Sequence, residues 1–248
     1  MPGSKLHDLI ALAREPSSER RRELLREITD LFLAQPAEAM DPAQAALFDD
    51  VMQRIAGEME AAVRGELARR LAPTRVALPR LLNDLGGDEI AVAEPVLRHA
   101  TGFRDEDLLR LARSQGQDHL RAISQREVVP EVVSDAIVER GDDTTLGVLL
   151  RNEGAALSRQ ASEAAVDRAQ ANPELHAAVV ERKSLPPDLM NEMYFVVEAR
   201  LRAKIMARNA EIDPQALLAA LDVFSENGMR SLANLAADGL ERIREGAL

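Results

Sequence analysis

The stretch DHLRAISQREVVPEVVSDAIVERG, residues 118–141, decides the fold because it nearly repeats as NPELHAAVVERKSLPPDLMNEMYFV at residues 172–196. Four pairs of positions share one register of 56 residues: Arg126 with Arg182, Val129 with Leu185, Pro130 with Pro186, and Ile123 with Val179. A shared register over helical segments is typical of stacked helical hairpins. The repeat therefore predicts an all-α protein built from similar hairpins.

Helical spacing of apolar residues continues upstream of the repeat, and no segment alternates as a strand would. Residues 19–34 place an apolar stripe on one face of a helix. Asp41 followed by Pro42 predicts the start of the next helix. That helix either runs on towards Pro73 or is broken near Gly57 into two.

Short helices of two to three turns follow residue 73, each opened by an Asp, Asn, Ser or Pro. They form four hairpins of about 23–30 residues, the spacing of a short α-solenoid of HEAT-like repeats. The eighth short helix is expected to be longer, starting at Pro186-Pro187 and running to Leu201. Asp213-Pro214 opens a terminal pair divided at Asn227-Gly228. We predict an N-terminal helical region at 1–72, HEAT-like repeats at 73–206 and C-terminal capping helices at 207–248.

The composition of the chain limits the kind of core it can form and the kinds of site it can contain. Hydrophobic residues make up 46% of the 248, but only 2% are aromatic, so the core must be aliphatic. The net charge of −11 disfavours nonspecific attraction to nucleic acid or to an anionic membrane. The chain has no cysteine, which excludes disulfides, thiolate nucleophiles and cysteine-ligated metals. The first residues lack a secretory signal pattern, and no apolar stretch is long enough to cross a bilayer, so we expect a cytoplasmic protein.

Seven phrases occur in order along the chain: TDLF at 29–32, LFDDVMQRIAGEME at 47–60, RGELARRLA at 64–72, LLNDLGGDEIAVAEPVL at 81–97, HLRAISQRE at 119–127, LLRNEGAALS at 149–158 and ERKSLPPDL at 181–189. Together they make residues 20–206 resemble a bacterial family of uncharacterised function, common in alphaproteobacteria and built from HEAT-like helical repeats. The resemblance implies a HEAT-like stack behind a helical N-terminal region, and it implies no activity. Residues 207–248 lie outside it.

An arginine recurs near the end of the first helix of each hairpin, at Arg98, Arg126, Arg151 and Arg182. These guanidinium groups could face an acidic partner or phosphate. Alternatively, each offsets a helix dipole or pairs with an Asp of the neighbouring repeat, which the pattern favours. We keep the four as candidate partner-binding residues.

The histidines His7, His99, His119 and His176 show no HExxH spacing, and no phosphate-binding or hydrolase motif occurs, so we predict no metal, no cofactor and no enzyme. A phosphotransfer histidine is the alternative, with His7 the best candidate by expected exposure. Basic clusters at Arg20–Arg22 and at Arg64, Arg69, Arg70 and Arg75 keep nucleic-acid binding as a lesser alternative.

The function that these observations favour is a non-enzymatic protein-protein interaction or regulatory scaffold with a helical-repeat surface. Its partner is a protein of unknown identity. The N-terminal helices could also form a homodimer, because Leu24, Leu31, Leu47 and Ile55 must be covered by something.

Overall fold

Helices supply the regular structure in the computed structural model of the chain, which describes residues 18–35, 40–75 and 78–211. The all-α prediction is confirmed for these residues, whose only β-type pairing is one isolated bridge between Val129 and Ala155. The chain divides into two compact units, Met1–Ala161 and Ser162–Leu248. The domain boundaries predicted at 72/73 and 206/207 stay predictions.

Unit 1 contains nine helices in its described residues and the first turn of a tenth. They are α1 (Ser18–Leu33), α2 (Pro42–Gly57), α3 (Ala61–Leu71), α4 (Pro79–Gly86), α5 (Ile90–His99), α6 (Asp105–Ser114), α7 (Gln117–Ser124), α8 (Glu131–Arg140), α9 (Asp143–Arg151) and α10 (Arg159–Ala171). In unit 2, the described part continues α10 and adds α11 (His176–Glu181), α12 (Pro187–Glu192) and α13 (Ala199–Glu211). Short 3₁₀ turns at Pro173–Leu175 and Met193–Phe195 precede α11 and follow α12.

Helices in unit 1 contact the next helix but one as well as their neighbours. The odd-numbered helices form a continuous row in which α3 packs on α1 and α5, and α7 packs on α5 and α9. Among the even-numbered helices, α2 packs on α4 and α6 on α8. Asp49 joins the first of these pairs, because its buried carboxylate on α2 accepts the backbone N–H groups of Arg80 and Leu81 at the start of α4 (3.0 and 2.9 Å).

The core between these helices is aliphatic, as the composition required. Leu, Val, Ile and Ala provide nearly all of the buried apolar residues. The N-terminal helices add buried methionine, such as Met52, and an edge-to-face pair, Phe32 on α1 and Phe48 on α2, with ring centroids 5.4 Å apart. None of the described helices is both long and apolar enough to span a bilayer.

Several helix starts follow the sequence signals. Asp41 caps α2, with its carboxylate accepting the N–H of Ala43 at 3.2 Å. The helix then ends at Gly57, so the two-helix alternative is confirmed. Asp142 caps α9 by accepting the N–H of Thr145 at 2.7 Å, and α8 follows Pro130, in agreement with short helices opened by Asp or Pro. The terminal pair predicted after Asp213 lies outside the described residues.

The eighth short helix was predicted wrongly. It is not a long helix from Pro187 to Leu201, because α12 ends at Glu192 and a 3₁₀ turn follows. The backbone then starts α13 afresh, with the carbonyl of Glu198 accepting the N–H groups of Leu201 and Arg202. Helical spacing of apolar residues continues across the break, which is why periodicity alone missed it.

The N-terminal helices cover much of their own apolar surface. Leu24 and Ile55 are buried within the chain, Leu47 is half-buried, and Leu31 is exposed. Three of these four apolar side chains are therefore at least half covered without a second copy. A homodimer through α1 and α2 stays a prediction.

An ion pair links α3 to the segment before α5. Arg64 donates to both carboxylate oxygens of Asp88, with Nη2 2.9 Å from Oδ1, and also to the carbonyl of Met59. The pKa of Asp88 is lowered from its ordinary value, first by the hydrogen bond from Arg64, against the opposing effect of burial. The backbone N–H of Glu89 adds a further hydrogen bond to the same carboxylate at 2.8 Å.

We expect Asp88→Asn to lower the free energy of unfolding at pH 7 by about 1–3 kcal/mol, because it leaves the partly buried Arg64 without its counter-charge. Because the folded-state pKa of Asp88 is depressed, its contribution is present above the unfolded pKa near ~4 and is lost as the pH falls through the lower folded value. The difference between wild type and variant should therefore shrink in urea unfolding below about pH 4. Glu94→Gln is the control: its exposed pair with Arg98 should contribute less than about 0.5 kcal/mol. A gap for Asp88→Asn that did not change with pH would contradict this account.

Candidate functional site

Arg126, at the centre of the repeated passage, is buried with only 9% of its surface exposed. Its guanidinium group donates to the carbonyl oxygens of Leu97 and Ala100 (2.5 and 2.7 Å), which are the free acceptors at the end of α5. It also lies over the ring of Phe103, 5.8 Å from the centroid. Burial lowers the pKa of Arg126, and the charge of Asp105 partly offsets that effect. Arg126 thus caps the C-terminal end of the preceding helix in the odd-numbered row.

The same arrangement recurs further along the chain. The side-chain amide of Asn152 donates to the carbonyls of Ser124 and Arg126 (2.8 and 2.7 Å) at the end of α7. Within unit 2, Arg208 donates to the carbonyls of Val180 and Arg182 (3.1 and 3.0 Å) at the end of α11. Arg208 also donates to the carbonyl of Lys183 at 3.0 Å, so each capping side chain lies 25 to 29 residues after the carbonyls that it reaches.

Sequence reasoning missed Asn152 and Arg208 because it searched for arginine at the end of each first helix. Both nevertheless lie 26 residues after a member of the repeat pair, Asn152 after Arg126 and Arg208 after Arg182. Half of the 56-residue register is 28 residues, and positions 28 residues after Arg126 and Arg182 lie two residues from Asn152 and Arg208. Arg140 on α8 caps a helix of the even-numbered set in the same way, donating to the carbonyls of Ala112 and Gln115 at the end of α6.

The loop of residues 125–130 between α7 and α8, here the clamped loop, is held against residues 152–156 by backbone pairing. Val129 donates its N–H to Gly154 (3.1 Å) and accepts the N–H of Ala156 (3.0 Å). The side-chain oxygen of Asn152 also accepts the N–H of Gly154 at 2.9 Å. Two side chains of the clamped loop point inward: Val129 is fully buried, and Arg126 is hydrogen-bonded to α5. The loop is therefore held in one position.

Two large apolar residues face outward from this fastened segment. Val128 in the clamped loop is 65% exposed, and Val132 in the first turn of α8 is 53% exposed. Glu127 and Glu131, their chain neighbours, are exposed as well. We call these four residues the valine patch.

The four arginines named from the sequence do not share one environment. Arg126 and Arg182 are buried, Arg182 with only 3% of its surface exposed. Arg98 is half-buried and pairs with Glu94 one turn earlier at 3.0 Å. Arg151 is exposed and donates to the carbonyl of Gly147 in its own helix at 3.0 Å. Partner binding stays a prediction for Arg98 and Arg151, while Arg126 has the capping role described above.

Unit 2 contains a groove of about 420 Å³ between α11 and the start of α13. Its apolar walls are Pro173, Ala177, Val196 and Leu201, and its polar side chains are His176, Glu181, Glu198 and Arg200. We call it the unit 2 groove.

A model of one protein family matches residues 92–247, and that family is described as an uncharacterised protein conserved in bacteria (DUF2336). The chain belongs to this family. No curated protein and no solved structure matches the chain. The match confirms the family resemblance seen in the sequence, but its extent differs: it starts at residue 92 and includes residues 207–247, which the resemblance had left out.

The family segment includes the valine patch, the capping side chains Arg126, Asn152 and Arg208, and the unit 2 groove. Helices α1 to α4 lie before it. The features that recur at 26-residue spacing are therefore features of the family portion of the chain.

The histidines within the described residues differ in their surroundings. His99 is exposed at the end of α5, whereas Nε2 of His119 lies 2.8 Å from the carbonyl oxygen of Asp88. His176 is buried at the unit 2 groove, and its Nε2 has no hydrogen-bond partner there. His7, the candidate for phosphotransfer, lies outside the described residues. No cluster of three metal-ligating side chains occurs in the part of the chain that the structure describes.

Proposed function

We propose that the chain is a protein-protein interaction scaffold, built as a short HEAT-like stack and binding a partner at the valine patch. The proposal rests on the odd-numbered row, in which each helix packs on the next but one. The recurrence of capping side chains at a spacing of 25–29 residues supports a repeating unit of about that length. Open stacks of this kind bind partners through an extended surface.

The binding site is placed at the valine patch because Val128 and Val132 are exposed on a segment that hydrogen bonds hold in one position. Ordering a loop on binding costs about 0.5–1.5 kcal/mol for each immobilised side chain, and a pre-ordered segment avoids much of that cost. The clamped loop is already held by the Val129–Ala155 bridge and by Asn152. Val128, in the loop, and Val132, in the first turn of α8, are therefore presented in one fixed arrangement.

The surrounding charge indicates the chemistry of the partner. Glu127 and Glu131 flank the valines, so the patch is complementary to a protein segment that carries apolar and basic side chains. Nucleic acid is disfavoured because the N-terminal basic cluster is neutralised within the chain. Arg21 pairs with Glu58 at 3.0 Å and Arg22 with Glu60 at 3.5 Å.

Replacing both valines by aspartate should weaken partner binding by about tenfold or more, because a buried apolar contact becomes a charged one. The test is affinity capture from the native host, followed by titration of each captured protein against wild type and Val128→Asp/Val132→Asp. Circular dichroism should be unchanged, since both side chains point to solvent.

The matched control is Leu31→Asp/Leu33→Asp, which removes two exposed apolar side chains from α1, outside the family segment. A partner that binds through the valine patch is lost from the first variant and retained by the second. Equal retention by both variants would exclude the valine patch as the binding site.

A further inference from the structure

Phe195, at the end of the 3₁₀ turn after α12, is 81% exposed, more than the other exposed large apolar residues of the described chain. Its ring nevertheless has a defined packing partner. Its ring packs edge-to-face on Tyr194 with centroids 5.3 Å apart. The guanidinium group of Arg202 lies 5.9 Å from the centre of the Tyr194 ring and donates to the carbonyl of Val197 at 2.9 Å. The turn therefore displays an aromatic ring to solvent in a defined position.

The residue that follows Phe195 is a wall of the unit 2 groove. Val196 lines the groove with Leu201, Ala177 and Pro173, so an apolar cleft begins one residue from the exposed ring. A volume of about 420 Å³ exceeds what one aromatic side chain needs, and burying such a side chain removes about 150–250 Å² from water. An exposed aromatic ring and a cleft large enough for such a ring thus lie side by side among the described residues of one unit.

We propose that a second copy of this chain occupies the groove, with Phe195 of each copy inserted into the unit 2 groove of the other. A two-fold axis brings the same patch of both copies together, so a projection and a cleft on one patch fill each other reciprocally. The polar rim fits this symmetry because it carries both signs of charge, with Glu198 and Arg200 exposed on it. Arg200 of one copy then faces Glu198 of the other.

Net charge argues for this location within the chain. Two chains of net charge −11 repel each other at most relative orientations. Self-association is favoured where the surface is apolar and of mixed sign, and the unit 2 groove meets both conditions. The valine patch does not, because its two charged residues are both glutamates.

The test is sedimentation equilibrium of the 248-residue chain from about 1 to 100 μM, the range in which contacts of moderate size dissociate. Wild type should approach twice the 27.2 kDa of one chain. Phe195→Asp removes the inserted ring, and Ala177→Trp fills the groove from an exposed position on α11. Each variant should raise the dissociation constant of the dimer by about tenfold or more.

Mixing the two variants provides the sharpest outcome. Phe195→Asp keeps an open groove and Ala177→Trp keeps the ring, so the mixture regains one of the two reciprocal contacts. It should therefore associate more strongly than either variant alone. Val128→Asp is the control and should associate as wild type does, so this result is independent of the proposed partner site.

Three results would overturn the proposal. One is a wild-type chain that stays monomeric over the whole range. Another is a Phe195→Asp or Ala177→Trp variant that dimerises as wild type does. The third is a loss of thermal stability by Ala177→Trp without any change in mass, which would place a segment of the same chain, such as residues 212–248 outside the described part, or a small ligand in the groove instead.

Discussion

Arg126→Ala is expected to lower the free energy of unfolding by about 3 kcal/mol, because two carbonyl groups at the buried end of α5 lose the guanidinium donor that they share. Each unsatisfied buried acceptor costs about 1–3 kcal/mol. Removing the buried charge recovers part of its desolvation cost, but the carbonyls that it satisfied stay in place, so the loss outweighs the gain. Contact with the ring of Phe103 is lost as well. Urea unfolding followed by circular dichroism measures the change.

The controls are two other arginines from the same sequence pattern. Arg98→Ala breaks an exposed pair with Glu94, and Arg151→Ala removes one hydrogen bond to Gly147 on its own helix. Each should cost less than about 0.5–1 kcal/mol. Equal losses at Arg98, Arg126 and Arg151 would mean that the four arginines share one role after all, contrary to the capping account.

Gly154→Ala is expected to cost about 3 kcal/mol or more, through a clash rather than a lost contact. A Cβ atom at this position would lie 1.9 Å from the carbonyl oxygen of Glu127, which is backbone and cannot rotate away. The clamped loop must shift to accommodate it, and the hydrogen bonds between Val129 and residues 154 and 156 are then lost. Thermal unfolding measures the loss, and amide hydrogen exchange at Val129 and Ala156 locates it.

Gly57→Ala serves as the matched control, because a Cβ atom there meets nothing within 4 Å. At the end of α2 it should change stability by less than about 1 kcal/mol, in either direction. Full protection of the Val129 amide in the Gly154→Ala variant would show that the loop is not clamped by close backbone approach.

Arg126→Ala and Gly154→Ala both disturb contacts that hold the clamped loop, which carries part of the valine patch. Arg126 fastens the clamped loop to α5, and Gly154 allows residues 152–156 to reach it. If the valine patch binds a partner, a destabilised loop should weaken binding even though neither side chain touches the partner. Partner titration with Gly154→Ala connects the stability measurement to the proposed function.

Much of the helical layout could be predicted from local signals. Asp41-Pro42, Pro130 with Gly141, and Asp142 each mark a helix boundary through their own backbone preferences, which do not depend on distant residues. The break after Glu192 could not be predicted in this way. Apolar residues continue at helical spacing through Val197, so the pattern contains no stop signal.

The candidate site was less predictable than the fold. Arg126 was found by its place in the repeat, and its pattern favoured offsetting a helix dipole or pairing with a neighbouring Asp over facing a partner; the carbonyls that it caps were not predicted. Whether an arginine at the end of a helix points outward or reaches a carbonyl of an earlier helix depends on how closely the two helices pack, and no local pattern encodes that distance. The exposure of Val128 beside the buried Val129 likewise depends on which residue of the pair faces residues 152–156.

By itself, the sequence determined the all-helical class, the aliphatic core, the family and the 56-residue register, because propensity, composition and periodicity are properties of the chain alone. Only the tertiary structure decided which side chains form hydrogen bonds within the chain and which stay exposed on its surface. Arg126 and Asn152 donate to carbonyl groups at the end of the preceding odd-numbered helix, while Val128, Val132 and Phe195 are exposed. The physical reason is that burial and hydrogen-bond partnership depend on contacts between residues about 26 positions apart or more, which form only when the helices pack.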